Sequence, residues 1–215
     1  MKKIRCLVTA GPTREHFDPV RFISNPSSGK MGWAVADAAN KKGWETTLVL
    51  GPSELPPIEG VKTIRVTSAQ DMLDVCEKYF DACDILVMSA AVSDVRPKTF
   101  IPQKTKKNDI DLNPQLERTP DILLALSKKK KNQILIGFAA ETQNVSEYAK
   151  EKLKQKNLDG IVANAVGKKD SGFASDRNKI DLILRSGEIV DFREGTKKEL
   201  GALLVNFLAA RFFNQ

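Results

Sequence analysis

The 215-residue sequence has little of what marks a metal centre, a disulfide framework or a membrane protein. It contains one histidine, His16, and three cysteines, Cys6, Cys76 and Cys83, with no Cys-x-x-Cys pair. This composition argues against a zinc site and against structural disulfides. No apolar run approaches the roughly 20 residues that span a bilayer, and the apolar part of the N-terminus is too short for a signal peptide. We therefore expect a cytoplasmic protein that uses no membrane.

Two common nucleotide-binding motifs are also incomplete. The segment from Ser24 to Met31 contains Gly-Lys, as a Walker A motif does, but serine replaces the first glycine and methionine replaces the magnesium-binding Ser/Thr. The chain has no complete Gly-x-Gly-x-x-Gly fingerprint, and its second predicted strand ends in Leu50-Gly51-Pro52, with no acidic residue. These absences argue against a P-loop triphosphatase and against an NAD(P)-dependent oxidoreductase.

What the chain does have is positive charge: 34 Lys and Arg stand against 27 Asp and Glu, a net charge of +7. Such a balance suits an anionic partner, whether a phosphorylated metabolite, a nucleotide or a nucleic acid. Lysines are concentrated at 104–107, 128–131 and 150–156, and the second group is typical of the solvated C-terminal end of a helix. Since no aromatic-rich RNA-binding signature and no zinc-finger spacing accompany the charge, we expect no nucleic-acid partner.

Short apolar strands alternate with amphipathic helices along most of the chain. The predicted strands are 4–9, 45–50, 61–66, 85–88, 133–137 and 159–163, and the predicted helices are 31–40, 69–80, 119–129, 145–156 and 196–213. This alternation predicts an α/β fold, a Rossmann-like three-layer α/β/α arrangement around a mostly parallel sheet. Runs at 179–184 and 189–192 predict a C-terminal antiparallel hairpin. We expect one domain, 1–215, in which the polar, proline-bounded stretch 98–113 is a mobile lid loop.

Small residues and one lysine, Ser27-Ser28-Gly29-Lys30, lie between the first predicted strand and the following helix. Small residues at a helix start leave backbone N–H groups pointing outward, and these groups form an anion site together with the helix dipole. The same pattern fits an ordinary capped helix that follows a loop.

A second small-residue segment, Ser89 to Asp94, follows the buried strand 85–88. Ligands of doubly wound sheets bind beyond the carboxyl ends of strands, and small side chains let a planar or phosphorylated group come close. Asp94 is a candidate ligand for a metal or a ribose hydroxyl. The alternative is an aspartate that forms a turn.

Three further features have both a functional and an ordinary interpretation. The run Lys104 to Lys107 fits a closing loop that neutralises charge on a transferred nucleotidyl group, or a solvated basic loop. Small residues from Gly137 to Thr142, beside Phe138, are predicted to follow a strand and to seat a base, or else to allow close strand–helix packing. Lys152 and Lys156 share one helix face and can grip a polyphosphate, or are surface charges.

Taken together and in this order, these segments closely resemble bacterial phosphopantothenate–cysteine ligases, over essentially the whole chain. The segments that carry the resemblance are Gly11–Glu15, Asp18–Arg21, Ile23–Asn25, Ser27–Gly32, Ala90–Asp94, Lys104–Lys107, Thr119–Leu123, Gly137–Thr142, Ala163–Asn164, Gly172–Asp176 and Asn178. Two positions depart from the family pattern: Ala165 replaces a common aspartate and Ser93 a common alanine. No role rests on position 165.

The resemblance implies a two-step ligation in coenzyme A synthesis. The carboxylate of phosphopantothenate attacks the α-phosphate of CTP, which gives an acyl-cytidylate and pyrophosphate with the help of Mg²⁺. The amine of cysteine then attacks the acyl carbon, and CMP leaves. The family is usually homodimeric and includes ATP users, but the bacterial motifs favour CTP. Relatives often carry this domain behind a flavin-dependent decarboxylase, and because Met1 directly precedes the first strand, we expect neither that domain nor flavin.

The resemblance also implies roles for individual residues. Asn25 would contact the acyl-cytidylate and donate to a developing oxyanion, and Lys104 matches the functional lysine of the lid. The candidate nucleotide-binding residues are Met88, Ser89, Ala90, Asp94, Lys104, Pro120, Asp121, Ile122, Leu123, Phe138, Lys152 and Lys156. The candidate phosphate- or substrate-binding residues are Ser27, Ser28, Gly29 and Lys30, and Asp94 is the candidate Mg²⁺ ligand. The alternative is a relative that binds nucleotide without ligation, against which the presence of Asn25 and Lys104 argues.

Overall fold

The computed structural model describes residues 3–141, 145–165 and 175–213, and it consists of a central sheet flanked by helices. The strands are β1 Arg5–Ala10, β2 Arg14–His16, β3 Phe22–Ser24, β4 Glu45–Leu50, β5 Lys62–Arg65, β6 Ile85–Met88, β7 Val95–Pro97, β8 Leu116–Arg118, β9 Ile134–Glu141, β10 Gly160–Ala165, β11 Arg177–Leu184 and β12 Ile189–Thr196. The helices are α1 Lys30–Lys41, α2 Ala69–Phe80, α3 Ile122–Lys129, α4 Val145–Gln155 and α5 Lys197–Phe212, with a 3₁₀ turn at Lys107–Asp109.

Eight strands form one sheet in the order β12-β11-β10-β9-β6-β1-β4-β5. The pairs from β10 to β5 are parallel, whereas β11 and β12 join as an antiparallel hairpin. In chain order the six parallel strands have the doubly wound arrangement 3-2-1-4-5-6. This confirms the predicted Rossmann-like fold with its C-terminal hairpin. The strand order reverses between β1 and β6, and such a reversal opens a crevice at the carboxyl ends of the strands.

Apolar side chains cover both faces of the sheet, as a parallel sheet between two helical layers requires. In β6, Ile85 and Val87 join the core on the side of α1 and α5, whereas Leu86 and Met88 join the core that contains residues of α2, α3 and α4. The alternation follows from the two-residue period of a strand. All four residues are buried, which explains why this strand reads as one continuous apolar run.

Helix starts follow from local capping, with one correction to the sequence prediction. Ser68 caps α2 in a reciprocal capping box with Asp71. The helix predicted to begin at Thr119 begins at Ile122, because the Asp121 side chain accepts a hydrogen bond from the Leu124 N–H at 3.0 Å. Pro120 therefore precedes the helix, and Thr119 donates its hydroxyl to the carbonyl of Ser93.

Two of the following three segments, 10–28 and β9, differ from their sequence predictions. The stretch 10–28, which lies between the first predicted strand and the first predicted helix, contains the small antiparallel pair β2–β3. Residues 98–113 join the strands β7 and β8, which pair with each other and form a two-stranded base for this loop. Strand β9, predicted to end at Gly137, continues to Glu141 because β10 pairs with it as far as Ala165.

None of the described helices is both long and apolar enough to cross a lipid bilayer.

Candidate active site

A cavity of about 540 Å³ lies at the carboxyl ends of β1, β6, β9 and β10, where the strand order reverses. Its size falls within the range of small-molecule sites. The structure brings every predicted site residue except Lys104 to the wall of this cavity. Residues that lie up to about 130 positions apart in the chain therefore share one surface, as the doubly wound topology predicts.

The first wall is the start of α1. Gly29 stands at the N-cap position with φ of 76°, a left-handed conformation that glycine adopts without a steric penalty. Because glycine has no side chain that could cap the helix, it does not occupy the first backbone N–H groups of α1. Free N–H groups at a helix start are typical of an anion site. Gly32, in the first turn, permits close packing on β1, since a Cβ there would lie 2.6 Å from the Cβ of Ala10.

The second wall is the loop that follows β6. Threonine hydroxyls hold its backbone: Thr9 accepts from the Ala90 N–H at 3.2 Å and Thr13 accepts from the Ser93 N–H at 3.0 Å. Asn25 donates its side-chain amide to the Val92 carbonyl at 2.8 Å, which joins the first wall to the second. The amide nitrogen carries a second hydrogen, so this bond orients the group and leaves a donor for chemistry in the cavity.

The third wall combines the start of α3 with β9. Ile122, Leu123 and Phe138 line it with apolar atoms. Strand β6 stops pairing with β9 at Gly137, so Phe138 lies on an edge of β9 that β6 no longer covers. Phe138 therefore belongs to a strand rather than to a loop after one, which corrects the sequence prediction. Gly137 itself allows close packing, because a Cβ there would lie 2.9 Å from Leu158 Cδ1.

Positive side chains surround the cavity. Those that line it are Lys30, Arg118, Lys152, Lys156 and Lys197. Lys152 and Lys156 share one face of the α4 segment, as their spacing predicts, and Lys156 forms an ion pair with Asp121 at 2.8 Å. Lys30 forms an ion pair with Asp176, whose pKa the lysine lowers through this hydrogen bond. Among the described residues, five cations against three lining or paired carboxylates give the cavity a positive character that suits polyanionic ligands.

Asp94 is the carboxylate that the sequence predicts as a metal ligand. It lines the cavity and is exposed. Among the described residues there is no group of three or more His, Cys, Asp or Glu side chains that could hold a metal. A site with the Asp94 carboxylate as its protein ligand fits Mg²⁺. This ion commonly takes one or two carboxylates and completes its octahedron with phosphate oxygens and water.

Lys104 lies away from the cavity, on the exposed 98–113 loop. That loop is attached to the segment between β2 and β3 by hydrogen bonds at Thr105. Its N–H donates to Asp18 at 3.3 Å, and its carbonyl accepts from Arg21 at 2.7 Å. Hydrogen bonds from the Val20 N–H and other backbone donors lower the pKa of the Asp18 carboxyl. The observed loop position is therefore one in which Lys104 does not reach the cavity wall.

Glu15 and His16 make contacts that hold the fold together and do not line the cavity. Glu15 is buried and accepts from the Ala69 N–H at the start of α2. His16 packs against Phe22 and does not line the cavity. Thr142 and residues 172–174 lie outside the described residues.

Sequence reasoning missed Arg118 and Lys197, and it gave no role to Asn164 or Asn178, which also line the cavity. The Asn164 Oδ1 atom is buried and has no hydrogen-bond partner in the described part of the chain. A local signal exists for Lys197 alone: a lysine directly after a helix-capping threonine stands at the end of the helix that disfavours cations. Arg118 carries no such signal.

Known proteins resemble this chain over most of its length. The model of the family described as the DNA/pantothenate metabolism flavoprotein C-terminal domain matches residues 1–212. The coenzyme A biosynthesis bifunctional protein CoaBC of Bacillus subtilis (strain 168) is 47% identical over 195 residues, 90% of this chain and 46% of that protein. Its namesake in Escherichia coli (strain K12) is 41% identical over 99% of this chain and 53% of that protein. The chain thus spans about half the length of these curated relatives.

Solved protein structures also resemble this chain. The crystal structure of the C-terminal domain of a CoaBC protein superposes with a TM-score of 0.85 at 40% identity and covers 100% of this chain and 98% of that one. A Cab2 mutant in complex with phosphopantothenate-cysteine superposes with a TM-score of 0.76 at 14% identity, a likeness of fold alone, and covers 98% of this chain and 88% of that one. The chain belongs to the DNA/pantothenate metabolism flavoprotein C-terminal domain family.

Proposed function

We propose that this chain is a phosphopantothenate–cysteine ligase that consumes CTP and serves coenzyme A biosynthesis. The observation that carries the proposal is the single cavity that joins an open helix start, five cationic side chains and the anchored amide of Asn25. The relatives are named for coenzyme A biosynthesis and match over nearly the whole of this chain.

The reaction needs a positive cavity because its two phosphorylated substrates are both anions. Bringing the carboxylate of phosphopantothenate to the α-phosphate of CTP places like charges within bonding distance, which is costly without nearby cations. Lys30, Lys152, Lys156 and Lys197 lower this cost, and their positive charge also favours the negative charge that develops on the leaving pyrophosphate. The product of this step is an acyl-cytidylate, in which CMP is a good leaving group.

The walls of the cavity suggest how CTP would lie. Apolar atoms of Ile122, Leu123 and Phe138 form the part of the wall suited to a planar base, next to Ser89 and Ala90. The phosphates would extend toward the start of α1, where the N–H groups that follow Gly29 and the ammonium of Lys30 meet them. Mg²⁺ would be held by Asp94 together with phosphate oxygens, and when bound it supplies charge neutralisation of the phosphates.

Asn25 would act in the second step. The amine of cysteine attacks the acyl carbon, negative charge collects on the acyl oxygen, and CMP leaves. The bond from Asn25 to the Val92 carbonyl fixes the orientation of its amide before substrate arrives, and its second hydrogen is available to this oxygen. Preorganised donors of this kind are worth about 3 kcal/mol in other enzymes.

Lys104 would enter only when the 98–113 loop closes. The β7–β8 pair provides a fixed base for the loop, and the Thr105 contacts with Asp18 and Arg21 hold it in the observed position. Closure would bring Lys104 over the phosphates and exclude water. The loop thereby serves as a lid within one domain.

A homodimer forms part of the proposal. Large apolar side chains are exposed on the 98–113 loop and on the adjacent β2–β3 region. They are Val20, Phe22, Phe100, Ile101, Ile110 and Leu112. A second copy that covers this surface would remove apolar area from water close to the lid. Sedimentation of the purified chain, compared with a Leu112→Ser variant, tests whether a dimer forms there.

The deciding experiment is pyrophosphate release from the purified chain with phosphopantothenate and Mg²⁺, and with CTP or ATP. We expect release that depends on phosphopantothenate and CTP, and a ligated product by mass spectrometry only after cysteine is added. Release with ATP instead of CTP would keep the ligase and overturn the choice of nucleotide. Absence of release with either nucleotide would refute the proposed function.

A further inference from the structure

Asn178 is a polar residue in an otherwise apolar row of β11. The two-residue period of the strand places Asn178, Ile180, Leu182 and Leu184 on one face, and all four are buried, with the asparagine only 4% exposed. The three apolar members of this row belong to the core cluster that contains residues of α1 and α5. Asn178 is the member of the row that lines the cavity. Packing alone therefore does not explain why this position carries an amide.

The two ends of the Asn178 amide have different surroundings. Its oxygen accepts a hydrogen bond from the backbone N–H of Lys179 at 3.0 Å, which fixes the orientation of the amide. In the described part of the chain, its Nδ2 atom has no acceptor. The described side-chain atoms that are both unbonded and inaccessible are those of Thr63, Asn164 and Asp181, so Nδ2 is accessible. The space that this nitrogen reaches is the cavity that Asn178 lines.

A second buried amide shows the contacts expected for a purely structural role. Gln133 is 5% exposed and does not line the cavity. Its oxygen accepts from the Lys131 N–H at 2.7 Å, and its nitrogen donates to the Phe80 carbonyl at 3.4 Å. The protein therefore satisfies both ends of this amide, as is usual for buried polar groups. At Asn178 the described residues satisfy the acceptor end alone, and the donor end is left for a partner in the cavity.

Asn178 lies at the positively charged corner of the cavity. Two residues before it, Asp176 bonds the ammonium of Lys30, which is the first residue of α1. The chain from Asp176 to Asn178 therefore runs beside the helix start whose N–H groups form the candidate anion site. Hydrogen bonds to an ionised acceptor are roughly twice as strong as those to a neutral one. This position therefore favours a phosphate oxygen as the partner of Nδ2.

We propose that Asn178 is a substrate-binding residue whose Nδ2 atom donates a hydrogen bond to a phosphate oxygen at the start of α1. The inference rests on the proposed function and deepens it, because the phosphate would belong either to the nucleotide or to phosphopantothenate. The bond to the Lys179 N–H orients the amide before the substrate arrives, which lowers the entropic cost of binding. Asn178 thereby resembles Asn25, whose amide is also anchored through one of its atoms.

The first test uses Asn178→Leu, a neutral replacement of similar size that forms no hydrogen bond through its side chain. Isothermal titration measures the binding of three separate ligands: CTP, inorganic pyrophosphate and phosphopantothenate. We expect the variant to bind at least one of them roughly 10- to 100-fold more weakly, as for loss of a hydrogen bond to a charged group. Weakening of CTP and pyrophosphate together would assign Nδ2 to the nucleotide phosphates, and weakening of phosphopantothenate alone would assign it to that phosphate.

Three outcomes of this titration would overturn the proposal. One is unchanged affinity of the variant for all three ligands. Another is a wild-type chain that binds none of them. The third is weakening of CTP alone, because the amide would then meet the base or the ribose and not a phosphate.

A second variant, Asn178→Asp, separates ligand binding from the bond to Lys179. A carboxylate still accepts from the Lys179 N–H but cannot donate to a phosphate. The matched control is Asn206→Asp on α5, which adds the same charge at an exposed position outside the cavity wall, where the asparagine oxygen accepts from Lys42. We expect both variants to fold and Asn178→Asp alone to lose affinity. Equal affinity of the two variants for all three ligands would show that Asn178 serves only the fold.

The same variant decides the question if Asn178→Leu does not fold. The added carboxylate also repels anions, and this repulsion is screened when the Debye length falls to about 3 Å at about 1 M salt. A loss of affinity relative to Asn206→Asp that persists at this salt concentration is the result expected for a missing hydrogen bond. A loss that disappears there would be charge repulsion alone and would overturn the proposal.

The two proposals fail separately. A wild-type chain that releases no pyrophosphate in the ligase assay would refute the function, while titration with inorganic pyrophosphate would still decide the role of Asn178. Conversely, a chain that ligates normally, and whose Asn178 variants bind all three ligands as the wild type does, would retain the function and lose the inference.

Discussion

Substitution of Gly32 by alanine tests whether the position of α1 governs substrate binding. Alanine normally favours a helix over glycine by about 1 kcal/mol. Here the new Cβ would lie 2.6 Å from Ala10 Cβ and 2.8 Å from the Thr9 carbonyl oxygen, so α1 must move away from β1. Overpacking of this kind costs about 1–3 kcal/mol, which outweighs or cancels the gain in propensity.

The expected net loss of up to about 2 kcal/mol corresponds to a fall of up to roughly 8 °C in the midpoint of thermal unfolding for a domain of this size. Because the displaced part of α1 lies one turn from Gly29 and Lys30, we also expect the KM for a phosphate-bearing substrate to rise. Calorimetry and initial-rate kinetics measure the two effects.

Gly43→Ala provides a control at the other end of the same helix. Gly43 has φ of 87°, so alanine there is strained by about 1–2 kcal/mol, but nothing lies within 4 Å of the new Cβ. This variant should lose a comparable amount of stability and keep wild-type KM values. A Gly32→Ala enzyme with unchanged stability and unchanged KM would refute the reasoning, and equal kinetic losses in both variants would show that stability alone was responsible.

Three further predictions concern Asn25, the lysine of the lid loop and the Asp18 carboxylate that holds this loop. Asn25→Ala should slow the cysteine-dependent step on the order of 100-fold while pyrophosphate release persists, as followed by separate assays of the two products. Lys104→Ala should lower kcat for pyrophosphate release more than Lys107→Ala does, since only the former is assigned to the closed lid. Because hydrogen bonds lower the pKa of Asp18, its stabilising effect relative to Asp18→Asn should be present at neutral pH and be lost as pH falls through that lowered pKa, below about 3.9; equal unfolding midpoints of the two proteins at pH 7 would contradict this.

Much of the fold follows from local sequence patterns. The apolar run at 85–88 and the amphipathic period at 69–80 depend on neighbouring residues alone, and the structure has both elements with these bounds. The predicted start at Thr119 is wrong because Thr119 and Asp121 are both acceptable caps. The choice between them depends on the Ser93 carbonyl, 26 residues away, which takes the Thr119 hydroxyl. No local pattern contains that information.

The position at which a strand ends also depends on which neighbouring strands pair with it, and local sequence does not contain this information. Residues from Phe138 to Glu141 are small or polar except for the phenylalanine, so they look like a loop. They continue β9 because β10 offers them backbone hydrogen bonds, whereas β6 has already ended. The uneven lengths of these neighbours expose Phe138 to the cavity, so the feature that escaped prediction is one that shapes the site.

Residues next to strand ends were predicted for the site because the topology of a parallel sheet collects them at one edge. Lys197 follows a different rule, since it is placed by the packing of α5 on α1 and by the hairpin that precedes α5. In sequence it is one of many lysines, and its position at a helix start only shows that something offsets an unfavourable charge. Burial, and next the nearby charge of Lys30, lower the pKa of Lys197. The place of Lys197 in the cavity wall therefore depends on tertiary packing, which no local sequence pattern contains.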